Sequence, residues 1–161
     1  MSKTTVFKSD EKNTKDLITE FFILNDYFTT KEQELIKKTW ELLVKKSETV
    51  ENAYDNPYYL HPLRVSHILA QNKMDVETIV AALLHPFDIL NLSIDEIKNL
   101  FGEKISKLVL ITNKILNLPI NSKTLQQSDA IRKMFFALVG GVRVILIAIA
   151  DRTDRIRNIS G

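Results

Sequence analysis

The run AALLHPFDIL (residues 81–90) carries an apolar segment into a histidine and then a proline. Asp75 is a candidate N-cap for a buried helix that ends in this run. The apolar residues recur at helical spacing: Ile79, Val80, Leu83 and Leu84. Pro86 has no backbone N–H, so we expect it to end or kink the helix. His85 therefore lies at the end of a core helix, where it is either a hydrogen-bonded structural residue or a ligand.

Helical signals also precede this run. Residues 1–14 are polar, and we expect a flexible N-terminus before a single domain over residues 15–161. The sequence TKEQ (30–33) has the pattern of a capping box at the start of an amphipathic helix. The inward positions of that helix are Ile36, Trp40, Leu43 and Ser47. Another helix is expected to begin near His61, with Pro62 in its first turn.

The C-terminal half is predicted to be helical as well. SIDE (93–96) is a second capping box, and Gly102 occupies a typical helix C-cap position. Helices are expected at about 103–116 and 124–138. VRVILIAIADR (142–152) is apolar and β-branched, but no second strand candidate exists to pair with it. We therefore predict that it is a helix and that the fold is all-α.

Composition excludes several classes of protein. The 161 residues are 45% hydrophobic and 26% charged, as expected for one soluble globular domain. The absence of cysteine excludes thiolate zinc sites and cysteine nucleophiles. A net charge of +2 makes direct nucleic-acid binding an unfavoured function. No signal peptide or membrane-length apolar run is present, so we expect a cytoplasmic protein with no membrane partner.

Only a few polar residues are placed in the sequence so that their position alone suggests a catalytic or ligand-binding role. His61 and His67 are six residues apart, roughly 240° around a helix, and make a poor ligand pair. Asp151 ends an apolar run and must be paired, bound to metal or at the solvent edge. Arg155, four residues further along the same helix, is the simplest partner for Asp151. Asp154 interrupts the basic residues near this end of the chain, which favours a solvated helix end over a phosphate site.

Five segments, taken in order from about residue 57 to 159, resemble the N-terminal HD hydrolase domain of the RelA/SpoT proteins, which make and degrade (p)ppGpp. They are PYYLHPLRVSHILA (57–70), KMDVETIVAALLHP (73–86), FGEKISKLVLITNK (101–114), IRKMFFALV (131–139) and RVILIAIADR (143–152). The resemblance implies an HD-domain-like helical bundle. It ends before the last helices of the family's hydrolase domain, which implies a truncated version, and before the synthetase domain that normally follows.

The resemblance also places the family's metal ligands on this sequence. The family holds a manganese ion with a first histidine, a His-Asp doublet and a distant aspartate. These positions correspond to His61, His85 and Asp151, but the doublet aspartate falls on Pro86. Loss of one carboxylate from the set lowers both the ligand count and the charge neutralisation. We expect a vestigial site with no cofactor, and Mn²⁺ as the metal if any ion binds.

The residues that direct water in the family are also replaced. Its Glu-Asp pair falls on Ile89 and Leu90, which cannot transfer a proton. The domain is therefore expected to be catalytically inactive, as in the synthetase-only, RelA-like branch of the family. We also expect both side chains to have joined the apolar core.

The nucleotide-binding positions of the family are only partly retained. An arginine that the family carries eight residues before its first histidine falls on Ala53. Lys114 matches a family lysine, with Asn113 in place of the preceding threonine. The asparagine and threonine of the family's NMRT segment fall on Arg155 and Asn158. The candidate nucleotide contacts are Lys114, Arg152, Arg155 and Asn158.

Three functions remain open from the sequence. The first is a non-catalytic HD domain that regulates alarmone metabolism by acting on an attached synthetase domain in a longer GTP pyrophosphokinase. The second is a weak metal-dependent guanosine polyphosphate 3′-pyrophosphohydrolase, in which Asp88 replaces the missing carboxylate beside His85. The third is a binding module for guanine nucleotides such as ppGpp, GDP or GTP, which would use the candidate contacts named above.

Overall fold

The computed structural model describes residues 14–50, 57–117 and 141–158, which form seven α-helices and no strand. The helices are α1 (14–24), α2 (Thr30–Ser47), α3 (Leu60–Gln71), α4 (Val76–Leu84), α5 (Ile94–Phe101), α6 (Glu103–Leu116) and α7 (Val142–Asn158). A short 3₁₀ turn, Asn25–Tyr27, follows α1. The all-α prediction is confirmed. The predicted helix at 124–138 and the N-terminal residues 1–13 lie outside the described residues.

Helix α4 is the centre of the bundle. It packs against α2, α3, α6 and α7. Every residue from Thr78 to Leu84 is buried, because the helix is apolar on all sides and therefore needs neighbours on all sides. The helix ends at Leu84, directly before the histidine and proline, as predicted. His85, which directly follows α4, therefore lies in the protein interior.

The N-terminal end of α4 is tied to α7. Asp75 occupies the predicted N-cap position, but its side chain does not accept from the helix backbone. It accepts instead from the hydroxyl of Thr78 and forms an ion pair with Arg143, with 2.9 Å between the Arg143 Nε and Asp75 Oδ2 atoms. Asp75 therefore fixes the beginning of α7 against the beginning of α4.

The capping signals were predicted well at one helix and one residue too late at another. Ser93 and Glu96 form the expected box at α5, and Gly102 ends that helix with φ of 94°. The box at α2 is formed by Thr29 and Glu32, not by the predicted Thr30–Gln33 pair. Both neighbouring pairs fit the pattern, and the extended backbone of Thr29 decides between them.

Helix α7 confirms that VRVILIAIADR is helical. Its inward residues recur every three or four positions: Val144, Ile147, Ala150, Asp151 and Asp154. Its outer face exposes four large aliphatic side chains: Val142, Ile145, Ile149 and Ile156. None of the helices in the described residues is long and apolar enough to cross a membrane.

Candidate functional site

The three residues assigned to the vestigial metal site come together in the fold. His61 lies in the first turn of α3, His85 follows α4, and Asp151 lies on α7. One potential ligand atom from each lies within 4.8 Å of the others. His85 and Asp151 are buried, and His61 is partly exposed. Residues 24 to 90 positions apart in sequence are thus neighbours, as the resemblance implied.

His85 compensates for the backbone donor that proline removes. In a continuing helix the N–H of residue 86 would bond to the carbonyl of Ala82, but Pro86 has no N–H. The Nδ1 atom of His85 lies 2.6 Å from the Ala82 oxygen and donates to it. The proton on Nδ1 leaves the unprotonated Nε2 atom facing Asp151 Oδ1 at 3.6 Å. Because burial lowers the pKa of His85 to about 4, this contact is not an ion pair at neutral pH.

His61 lies between two buried carboxylates. Its Nε2 atom is 2.6 Å from Asp151 Oδ1, and its Nδ1 atom is 2.7 Å from Asp154 Oδ2. Both nitrogens must carry protons for both contacts to be hydrogen bonds, so the two contacts favour the imidazolium form of the ring. Burial alone would lower the pKa of His61, but the hydrogen bonds to Asp151 and Asp154 outweigh burial and raise it.

Two arginines complete the charge balance. Arg64 Nε donates to Asp154 Oδ1 at 2.8 Å, and Arg155 Nε donates to Asp151 Oδ2 at 2.9 Å. Burial would raise the pKa of both carboxyls, but the hydrogen bonds from His61 and the positive charges beside them lower it, to about 2 for Asp151. We call these five residues the ion-pair network: Arg64, His61, Asp151, Asp154 and Arg155.

Arg64 and Asp154 were not among the predicted site residues. Asp154 was interpreted as an interruption of a basic, solvated helix end, whereas its side chain is buried. A signal was present, because Asp151 and Asp154 are three residues apart and so are His61 and Arg64. Residues three apart share a helix face, so each pair is expected to project from one face of its own helix.

The replaced catalytic positions have separated in space. Leu90 is 0% exposed, as predicted, but Ile89 is 49% exposed, so the prediction that it joins the core is wrong. The chain from 85 to 91 is a turn in which Leu90 N–H bonds to the Pro86 carbonyl. Neighbouring residues in such a turn face different directions, and only one of the two can point inward. Pro86 itself is buried.

Asp88 is not positioned as a substitute ligand. It is exposed, and its Oδ1 atom accepts from Asn113 Nδ2 at 2.9 Å. The same Asn113 nitrogen lies 2.8 Å from the His85 carbonyl oxygen. Asn113 therefore ties the turn after α4 to α6, and Asp88 bonds to this asparagine instead of joining the histidines.

The four candidate nucleotide contacts do not form one group. Lys114 is exposed on α6, and Arg152 is exposed on α7. Arg155 belongs to the ion-pair network, and Asn158 Nδ2 donates to Asp154 Oδ1 at 2.9 Å. Two of the four therefore have partners within the protein, and nucleotide binding by this set stays a prediction. Ala53 lies outside the described residues.

The donor set does not fit a manganese ion. Manganese prefers several oxygen ligands, and the three converging residues offer one carboxylate and two imidazoles. A histidine must be neutral to bind a metal, but His61 is held as an imidazolium by Asp151 and Asp154. Pro86 has no ligand atom at the remaining family position. The residues present thus lack one carboxylate of the set that the family resemblance implies for manganese.

The two histidines give fold stability opposite dependences on pH. His85 has a lowered pKa, so its contribution is complete above the ordinary pKa of about 6.5 and is lost as the pH falls toward 4. His61 has a raised pKa, so its contribution is complete below about 6.5 and is lost as the pH rises through the folded value. We expect the free energy of unfolding to be greatest near pH ~6.5 and about 2 kcal/mol lower near pH ~5.

Urea denaturation across this pH range tests that prediction. The His85→Asn variant keeps an amide donor for the Ala82 carbonyl but has no titrating ring. Asp151, His61 and Arg155 still surround the position in the variant. We expect the free energy of unfolding of the variant to fall much less than that of the parent between pH ~6.5 and pH ~5. If the free energy of unfolding falls equally with pH in the parent and in His85→Asn, His85 is not held neutral.

Comparison with known proteins agrees with this fold. The sequence model of the HD domain family matches residues 39–161, and the chain belongs to that family. Its HD region is homologous to that of the RelA/SpoT (p)ppGpp hydrolases and synthetases. It is 40% identical over 106 residues, 64% of the chain, to the bifunctional (p)ppGpp synthase/hydrolase SpoT of Escherichia coli K12.

Two further relatives extend the similarity along the chain. A guanosine-3′,5′-bis(diphosphate) 3′-pyrophosphohydrolase of Vibrio cholerae is 30% identical over 85% of the chain. A GTP pyrophosphokinase rsh of Brucella melitensis is 34% identical over 79% of the chain. The matched regions are 20% of the Vibrio protein, 17% of the Brucella protein and 15% of SpoT. The chain therefore corresponds to one part of much longer relatives.

Proposed function

We propose that this chain is a (p)ppGpp hydrolase-like HD domain that does not hydrolyse (p)ppGpp and has a regulatory role in alarmone metabolism. The observation that carries the proposal is the identity and burial of three side chains in the turn after α4. Pro86 and Leu90 are buried there, and Ile89 is an aliphatic side chain at the surface. The family resemblance assigns a metal-binding or proton-transferring carboxylate to each of these three positions.

The carboxylates that remain are poorly suited to replace those functions. Hydrolysis needs a group that accepts a proton from water near neutral pH. Asp151 and Asp154 have lowered pKa values and accept hydrogen bonds from cations, which makes both weak bases. Asp88 is engaged by Asn113. These features support loss of the reaction with retention of the fold.

A steady-state assay tests the loss of hydrolysis. The protein is incubated with ppGpp and Mn²⁺, and released pyrophosphate is followed, with Escherichia coli SpoT as the positive control. We expect no release above the rate without protein, because the proton-transferring side chains are absent. Manganese-dependent release that disappears in Asp151→Asn would contradict the proposal and favour the weak pyrophosphohydrolase.

The regulatory role is supported by the relatives and by the surface of α7. The relatives are named as synthases, hydrolases or pyrophosphokinases and are much longer than this chain. The aliphatic outer face of α7 offers a contact surface for an attached or separate domain, with Ile145 44% and Ile149 57% exposed.

Addition of the chain to a RelA/SpoT synthetase domain tests this role. We expect the rate of ppGpp synthesis to change, and the change to be lost when Ile145 and Ile149 are both replaced by Lys. The exposed Lys107→Ala variant is the control, because the Lys107 side chain pairs with Glu103 of its own helix α6. Unchanged synthesis at every concentration of the chain would contradict a regulatory role in trans.

A further inference from the structure

The ion-pair network joins two helices that are far apart in sequence. His61 and Arg64 lie on α3, whereas Asp151, Asp154 and Arg155 lie on α7. Three of its contacts cross between the helices, each shorter than 2.9 Å. The two carboxylates are 1% and 2% exposed, so each would be costly to bury without a partner. The network therefore lies where a metal ion would otherwise hold the same helices together.

We infer that the ion-pair network is a metal-independent clamp, in which His61, Arg64 and Arg155 supply the positive charge that a bound cation would supply. This goes beyond the loss of hydrolysis, because it assigns a structural role to residues outside the implied ligand set. The role is independent of the hydrolysis result, since a clamp of protein charges can exist with or without a reaction nearby.

Every carboxylate oxygen in the clamp is already an acceptor. Asp151 Oδ1 accepts from His61 and Oδ2 accepts from Arg155, within 2.9 Å. Asp154 Oδ2 accepts from His61 and Oδ1 accepts from Arg64, within 2.8 Å. A metal ion could bind His61 only if a ring nitrogen lost its proton and its hydrogen bond, and at Asp151 it would compete with the two donors already in place. Each broken bond would leave a buried charged group with one partner fewer.

The charges also disfavour an added cation. The two carboxylates carry two negative charges, and Arg64 and Arg155, each within 2.9 Å of one of them, carry two positive charges. A divalent ion would therefore enter a region in which both carboxylates already have a cationic partner, and both guanidinium groups would repel it.

Two measurements test the clamp on the intact chain. Thermal melts are recorded in EDTA, Mg²⁺ and Mn²⁺, and Mn²⁺ binding is followed by electron paramagnetic resonance. We expect the same melting temperature in all three solutions and the spectrum of free aqueous Mn²⁺ in the presence of protein. A melting temperature that Mn²⁺ raises, or a bound Mn²⁺ signal at micromolar protein, would overturn the inference.

A paired substitution tests the arginine contribution. Arg64→Met keeps the aliphatic stem but removes the charged partner of Asp154 Oδ1, which then keeps only its hydrogen bond from Asn158. We expect its melting temperature to fall by about 5 °C or more, and Mn²⁺ not to restore it. Lys107→Met is the matched control, because it breaks an exposed (i, i+4) pair with Glu103 and should change the melting temperature little. If Arg64→Met melts like the parent, or if Mn²⁺ restores it, the clamp is not what holds α3 to α7.

Discussion

Leu90→Asp is expected to lower the free energy of unfolding by several kcal/mol, roughly 4 or more. Leu90 is 0% exposed and packs with the hydrophobic core. The substitution removes about 1.5 to 3 kcal/mol of apolar burial and adds an unpaired carboxylate to the interior. The family resemblance assigns an aspartate to this position. The same residue that serves a hydrolase is therefore expected to destabilise this chain.

Ile89→Asp provides a matched control one residue away. Ile89 is 49% exposed, so its carboxylate would remain hydrated. We expect its free energy of unfolding to change by less than about 1 kcal/mol. Urea denaturation of the parent and both variants makes the comparison. Equal stabilities for Leu90→Asp and Ile89→Asp would show that the turn after α4 is open at both positions.

His61→Leu is expected to cost about 3 kcal/mol or more of unfolding free energy at neutral pH. His61 is the only residue in the described parts of the chain that bonds to both Asp151 and Asp154. Removing the imidazolium leaves each buried carboxylate with its arginine but without its second charged partner. This value is the lower end of the usual cost of removing one partner from a buried ion pair, because the His61 side chain is 26% exposed.

His67→Leu is the control for this substitution, on the same helix. The His67 Nε2 atom lies 3.5 Å from Glu20 Oε2, and the Glu20 side chain is 63% exposed. Such a contact contributes little, so we expect a change below about 1 kcal/mol. Both variants are compared by urea denaturation. Similar losses in the two would mean that the histidines matter for packing, and the charges of the network would then have no special role.

Local signals explain how much of the fold could be predicted. The capping box at Ser93, the glycine at 102 and the proline at 86 each act within one helical turn, and the structure has helix ends at all three. The resemblance could bring distant residues together because it relates distant segments, and the three residues that it groups converge in the structure: His61, His85 and Asp151. Spacing along the sequence could not have done so, since it carries no information about which helices meet.

The unpredicted features have different physical causes. The pairing of Arg64 with Asp154 connects α3 and α7, and the resemblance assigned no role to either residue. The exposure of Ile89 depends on the hydrogen bond from Leu90 to Pro86, which fixes the direction of the turn. The donation from His85 to the Ala82 carbonyl follows from Pro86 itself. That contact could have been anticipated, because the proline removes the usual donor.

The most direct measurement of the central claim is a single-turnover reaction, with the protein in excess over labelled ppGpp and with Mn²⁺ present. Excess protein detects one slow cleavage per molecule, which a steady-state assay can miss. The residues at positions 86, 89 and 90 predict that the label stays in ppGpp at the rate seen without protein. Release of labelled pyrophosphate that requires both Mn²⁺ and Asp151 would contradict the account and identify the chain as a hydrolase.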